Sequence, residues 1–259
     1  MAAAGAAESA GVKSARRALE ILEHLTRGPV GFTRLAEDLG YPRSSLHGLL
    51  GTLTEMGWVE LDARTRTYSL GIRAWEAGRA YLRARDLVER ALPHLEQARD
   101  KLDETVQLAV LDGRDVVYVA RVDGSQRLVT SYSVGGRVGA HASAGGKALL
   151  SLLPDDELAR RFAGVTLERY TPGTIRTRRQ LEATLAETRR RGYGVDEEEY
   201  TLGVRCLAVP VLDHEGAGVA AISVSVPTVR FGEREQGRAL AALRQSARAL
   251  SQALGHSPS

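Results

Sequence analysis

From Ser14 onward, Ala15, Ala18, Leu19, Leu22 and Leu25 recur at three- and four-residue steps, which predicts an amphipathic helix with Ser14 as N-cap. Arg27-Gly28-Pro29-Val30-Gly31 breaks it. A second helix is expected over Thr33–Leu39, with Thr33 near its cap and Gly40 at its stop. Tyr41-Pro42 makes a turn into a third helix, Arg43–Met56, whose Leu46, Leu49, Leu50 and Leu53 share an apolar side. Trp58–Leu61 and Thr67–Leu70 then read as strands around the basic tip Asp62–Arg66. Three short helices and such a hairpin outline a winged helix-turn-helix. Residues 72–102 are helical throughout, with Pro93 expected to divide a linker helix from the next one.

After Asp103 the period shortens from about 3.6 residues to about 2. Thr105–Leu111 and Asp115–Val122 form a predicted hairpin about Asp112-Gly113-Arg114, and Arg127–Ser133 alternates likewise. Helices are expected at Gly145–Leu153, Asp155–Phe162 and Arg178–Arg191. A strand pair follows at Gly203–Leu212 and Gly218–Val226, then a closing helix at Glu233–Leu254. The fold class is therefore α+β, an antiparallel sheet with flanking helices behind a winged helix-turn-helix. The expected domains are a disordered tail (1–12), a DNA-binding domain (13–71), a linker helix (72–85) and a C-terminal domain (86–256).

Composition narrows the function. The 259 residues carry a formal charge of only +3, which permits a nucleic-acid partner without demanding one. One cysteine excludes an intramolecular disulfide framework and a Cys-rich zinc site. No apolar run is long enough for a bilayer, and the Ala/Gly-rich start lacks the pattern of a signal peptide, so a cytoplasmic protein without a membrane partner is expected. On the third helix the leucines leave Arg43, Ser44, Ser45, His47 and Thr52 for the opposite side, groups that can reach base edges or phosphates of double-stranded DNA. Gly48 and Gly51 weaken that helix. Arg64 and Arg66 at the wing tip suit a phosphate or minor-groove contact.

Two segments, Ser14-Ala15-Arg16-Arg17-Ala18-Leu19-Glu20-Ile21-Leu22 and Pro42-Arg43-Ser44-Ser45-Leu46-His47-Gly48-Leu49-Leu50, resemble the opening of the isocitrate lyase regulator (IclR) family of bacterial transcription factors. Gly48 stands where that family usually carries Arg. Gly136-Arg137, His141–Leu149 and the stretch from Gly192 through Asp213 are similar to the family's C-terminal motifs, so the resemblance spans about residues 14–254. It implies a GAF/PAS-like effector-binding domain and a homodimer or homotetramer on a palindromic operator. Repression of a catabolic operon is the implied mode, through a small organic acid or aromatic effector at Ala144, Gly145, Asp196, Cys206, Ser223 and Ser225. The residues themselves support a small pocket: a helix start at Ala144-Gly145-Gly146, and Ser223 and Ser225 on one strand face.

The alternative is a metabolite-binding domain or thiol enzyme whose N-terminal helices serve assembly. Little favours it. Cys206, His141 and Asp196 lack any local sign of thiol activation. Gly145-Gly146-Lys147-Ala148 lacks the Ser/Thr and first Gly of a phosphate loop. The six His show no metal-ligand spacing, and Glu197-Glu198-Glu199 reads as a solvated turn. No catalytic residue, metal or cofactor is expected.

Overall fold

The computed structural model describes residues 12–85, 87–125 and 133–257. Most of the expected tail and of the strand at Arg127–Ser133 lie outside these. The chain divides into two compact units, Met1–Arg85 and Asp86–Ser259.

The first unit contains α1 (Lys13–Leu25), β1 (Val30–Gly31), α2 (Phe32–Leu39), α3 (Arg43–Glu55), β2 (Val59–Asp62), β3 (Thr67–Leu70) and α4 (Ile72–Arg85). Its core is one apolar cluster: Ile21 and Leu25 from α1, Leu35 and Ala36 from α2, Leu46, Leu50 and Leu53 from α3, and Val59 from β2. The hairpin carries a third strand that the sequence concealed, since β1 pairs with β3 at Val30↔Tyr68 and Gly31↔Thr67. The expected caps are displaced. Val12, not Ser14, precedes α1, and Gly31, not Thr33, precedes α2, and neither cap makes a side-chain hydrogen bond. Gly40 closes α2 in the left-handed region, as its lack of a Cβ favours.

The second unit contains α5 (Leu87–Leu102), β4 (Thr105–Asp112), β5 (Asp115–Val122), β6 (Arg137–Gly139), α6 (Ala144–Leu150), α7 (Asp155–Arg161), α8 (Arg178–Arg191), β7 (Gly194–Glu197), β8 (Val204–Leu212), β9 (Gly218–Pro227) and α9 (Glu233–Ala253). Pro93 does not divide two helices. It lies inside α5, whose helix runs on past it to Leu102. There it forfeits a hydrogen bond to the carbonyl one turn earlier, while Leu87, Ala91, Leu95 and Ala98 bury the helix face.

Among the described residues six antiparallel strands run in the order β6-β5-β4-β9-β8-β7. One face packs Val106, Leu108, Leu207, Ile222 and Val224 against α5 and α9. The other packs Ala109, Tyr118, Cys206, Ala208 and Ala221 against α6, with Leu158, Phe162, Leu181 and Leu185 of the next two helices. The central strands are thus covered on both sides, and any polar side chain there is forced inside. Two glycines let α6 approach so closely. A Cβ on Gly146 would collide with the Ala140 backbone, and one on Gly194 with the Ala144 carbonyl.

Candidate DNA-reading face and effector site

Leu46, Leu50 and Leu53 of α3 are buried and Leu49 is half-buried, while Arg43, Ser44, His47, Gly48, Gly51 and Thr52 stand exposed on its other side. Ser45 is the exception among the expected contacts. It is half-buried, and its hydroxyl accepts from Arg17 Nη1 of α1 at 3.0 Å. Arg17 also lies 4.8 Å over the Tyr41 ring, whose hydroxyl bonds Glu20. Ser45 therefore ties α3 to α1. Thr52 Oγ1 donates back to the Gly48 carbonyl at 3.2 Å, leaving its lone pairs and methyl outward.

The wing tip is ordered by one carboxylate. Asp62 Oδ1 accepts from the backbone N–H of Arg64 at 2.7 Å and of Thr65 at 3.2 Å, and these bonds lower its pKa. Arg66 takes a left-handed backbone, φ 56°. The turn leaves Arg64 and Arg66 exposed, and neither they nor Arg43 forms a salt bridge among the described residues. His47 and Arg66 line an open groove of about 930 Å³ with Thr33 and Arg34 at the start of α2. Thr33 and Arg34 were absent from the sequence-based set. Their position at a helix start, with free N–H groups nearby, is the signal that could have added them.

In the second unit the expected residues come together on the sheet face beneath α6. Asp196, Cys206 and Ser225 are successive cross-strand partners on β7, β8 and β9, and Ser223 pairs with Ala208 one step along. All four are buried. Cys206 Sγ donates to Ser225 Oγ at 3.3 Å, and Ser225 Oγ donates to Gln107 Oε1 at 3.3 Å. Gly145 packs over the same face, where an added Cβ would lie 3.7 Å from those of Ala109 and Ala221. The start of α6 is less open than expected, because Ser143 Oγ already accepts the Gly146 N–H at 3.1 Å. With seven residues, α6 also carries only a short stack of peptide dipoles.

Two charged residues escaped the sequence reading. Lys147 is wholly buried and pairs with Glu199, which is itself only 8% exposed, so the acidic run 197–199 is not simply a solvated turn. The Glu199 N–H is held by Asp196 Oδ1 at 2.7 Å. Burial raises the Asp196 pKa to about 7, against the opposing pull of Lys147 and the Glu199 N–H. Burial, with the nearby Asp196 charge, also pushes the Cys206 thiol well above its ordinary value. His141 bonds the Glu168 carbonyl through Nε2 at 2.9 Å instead of serving as base to the thiol. A protonated, enclosed thiol is a poor nucleophile. Among the described residues no group of His, Cys, Asp or Glu could hold a metal ion, and no helix is long and apolar enough to cross a membrane.

The chain matches the family model described as IclR helix-turn-helix domain over residues 14–63, and that described as bacterial transcriptional regulator IclR C-terminal over 79–252. It is 34% identical to the HTH-type transcriptional regulator XynR of Escherichia coli over 247 residues, 95% of this chain and 98% of XynR. It is likewise 34% identical to the transcriptional repressor IclR of Escherichia coli, over 85% of this chain and 82% of IclR. Among solved structures, an IclR homolog from Microbacterium hydrocarbonoxydans complexed with 4-hydroxybenzoate superposes with a TM-score of 0.83 at 26% identity, covering 93% of this chain and 99% of that one.

Proposed function

Because the chain belongs to the IclR family of bacterial transcriptional regulators and is a ligand-responsive DNA-binding regulator, we propose that it represses a catabolic operon by holding a palindromic operator with α3 and the wing. The observation that carries this reading is the division of α3, leucines inward and Arg43, Ser44, His47 and Thr52 outward. A helix so divided enters a major groove with its first turns against base edges. The unpaired Arg64 and Arg66 extend the contact along the phosphates. The enclosed thiol, held protonated by burial and by the neighbouring Asp196 charge, supports binding over catalysis.

The effector is a small organic acid held in the second unit. Ala144 and Gly145 cover it from α6, and Asp196, Cys206, Ser223 and Ser225 address it from the sheet. It acts on DNA binding by favouring one arrangement of the protein over another. The 4-hydroxybenzoate bound by the Microbacterium homolog makes that compound a first probe. Operator binding requires at least a dimer, because one winged helix contacts too little DNA for usual specific affinities. Exposed Leu19 on α1 and Ile72 and Trp75 on α4 supply apolar surface for it. The protein works in the cytoplasm, where its DNA is.

A gel-shift titration with the DNA upstream of its own and neighbouring genes tests the reading. Saturable binding that weakens steeply between low and moderate salt is expected. Failure to retard any of these fragments more than random DNA would remove the regulator reading in its operator-specific form.

A further inference from the structure

Among the described residues, two buried side chains on adjacent strands of the second unit each carry a polar atom without a partner, and the two residues face each other. Gln107 on β4 is wholly buried, and its Nε2 has no hydrogen-bond partner. Ser223 on β9 is 3% exposed, and its Oγ is likewise unpaired. Gln107 and Ser223 are cross-strand partners, so their side chains leave the sheet on one face, the face that also carries Cys206, Ser225 and Asp196.

The other half of the Gln107 amide is already used. Ser225 Oγ accepts from the Cys206 thiol and must send its own proton onward, and the atom that receives it is Gln107 Oε1. That direction of donation leaves the amide NH2 as the free end. Buried donors without acceptors cost stability. This fold keeps an amide and a hydroxyl unsatisfied side by side, at the centre of a sheet covered on both faces.

We infer that Gln107 and Ser223 are the acceptor-reading edge of the effector site: a pair of neutral donors that takes the carboxylate of a hydroxycarboxylic acid. The inference rests on the proposal that the second unit holds an anionic effector, and it adds Gln107 to the residues that read it. Strand order explains why the carboxylate belongs here. Gln107 on β4 is separated from Asp196 on β7 by β9 and β8, three strand spacings or roughly 14 Å at ~4.8 Å each. A carboxylate at Gln107 and Ser223 therefore stays clear of the like charge on Asp196. A hydroxyl remote from that carboxylate, para to it as in 4-hydroxybenzoate, points along the polar row towards Asp196, which accepts from it.

The test is thermal unfolding of the full chain with lactate, 4-hydroxybenzoate and benzoate, each at millimolar concentration, for the parent, Gln107→Glu and Ser223→Ala. Gln107→Glu keeps the oxygen that Ser225 uses and replaces only the free donor. At least one hydroxycarboxylate should raise the parent's Tm by about 2 °C or more, and benzoate by less. Both variants should lose that shift. Ligand-free Ser223→Ala should unfold at or above the parent's temperature, because an unpaired hydroxyl has been removed. Variants that keep the parent's shift would overturn the inference and leave the anionic-effector reading standing. So would a ligand-free Ser223→Ala that unfolds several degrees lower, which would show the hydroxyl serving the fold. A parent that no probe stabilises would overturn the anionic-effector reading and this edge with it.

Discussion

Asp196 sits at 1% exposure with a pKa raised to about 7. The groups facing it are Lys147 of α6, Glu199 after β7, Cys206 of β8 and Tyr118 of β5. In the unfolded chain an Asp titrates near pH ~4, so between about 4 and 7 the folded state holds more protons than the unfolded state. Stability from this residue is present below that window and lost as pH rises through it, by roughly 1.4 kcal/mol for each pH step of one within the window. The C-terminal unit should therefore melt lower at pH 8 than at pH 5, and Asp196→Asn should flatten the difference. Calorimetry suits this measurement, because both tryptophans, Trp58 and Trp75, lie in the other unit. An unaltered pH slope in the variant would assign the effect elsewhere. Two arginines give a second residue-level contrast. Arg43→Ala should cost about 1–3 kcal/mol for operator and little for random DNA, whereas Arg64→Ala should weaken both and flatten the salt dependence. Equal affinity of both variants and the parent would exclude this docking. That Asp196, Cys206, Ser223 and Ser225 share one sheet face was legible in part: a spaced motif singled out Asp196 and Cys206, and period-two alternation put Ser223 and Ser225 together. Gln107 was not legible. It sits in an apolar strand, and only the helices on both faces of that strand make its burial evident.

The same difference recurs among the elements. Helices with strong periodicity, such as α3 and α8, were readable to within a residue or so, because a buried stripe of leucines sets their register. Short strands were not. Strand β7, Gly-Val-Asp-Glu, has almost no β propensity of its own and exists because β8 offers it a ladder. Strand β1 has two residues that read as a turn. Within α3, Gly48 and Gly51 are both mid-helix and exposed, and a Cβ on either would meet nothing within 4 Å. Gly51→Ala should thus stabilise the N-terminal unit by about 0.5–1 kcal/mol, read as a higher urea midpoint in tryptophan fluorescence. A midpoint that falls would mean that α3 is strained in a way its open surroundings do not show.

At the scale of the molecule, two units with separate cores make two transitions the natural expectation in calorimetry, instead of one. The change of period after Asp103 marks where helix gives way to sheet, not where the two units part, and Pro93 does not break α5 because the buried face of Leu87, Ala91, Leu95 and Ala98 carries the helix through it. The proposed self-association rests, in the sequence, on the requirement of DNA binding and on the family resemblance. Leu19, Ile72 and Trp75, each more than half exposed, give that requirement a surface. Sedimentation should find at least a dimer at micromolar concentration, and Leu19→Glu with Ile72→Glu should shift the population towards monomer and weaken operator binding together. A parent that sediments as a monomer with and without DNA would refute the assembly.

Helices α5 and α9 run antiparallel along one flank of the sheet. Arg90 near the start of α5 donates to the Ala253 carbonyl at the end of α9 at 2.6 Å, and Ser246 Oγ donates to the His94 carbonyl one turn further in at 2.9 Å. The sensing unit is entered and left at the same point. It is topologically a closed cassette: its ends could be joined and new ones opened at the Asp213–Ala217 hairpin without drawing any strand out of the sheet. For the same reason it could be spliced whole into a surface loop of an unrelated protein, lending that protein a response to the effector.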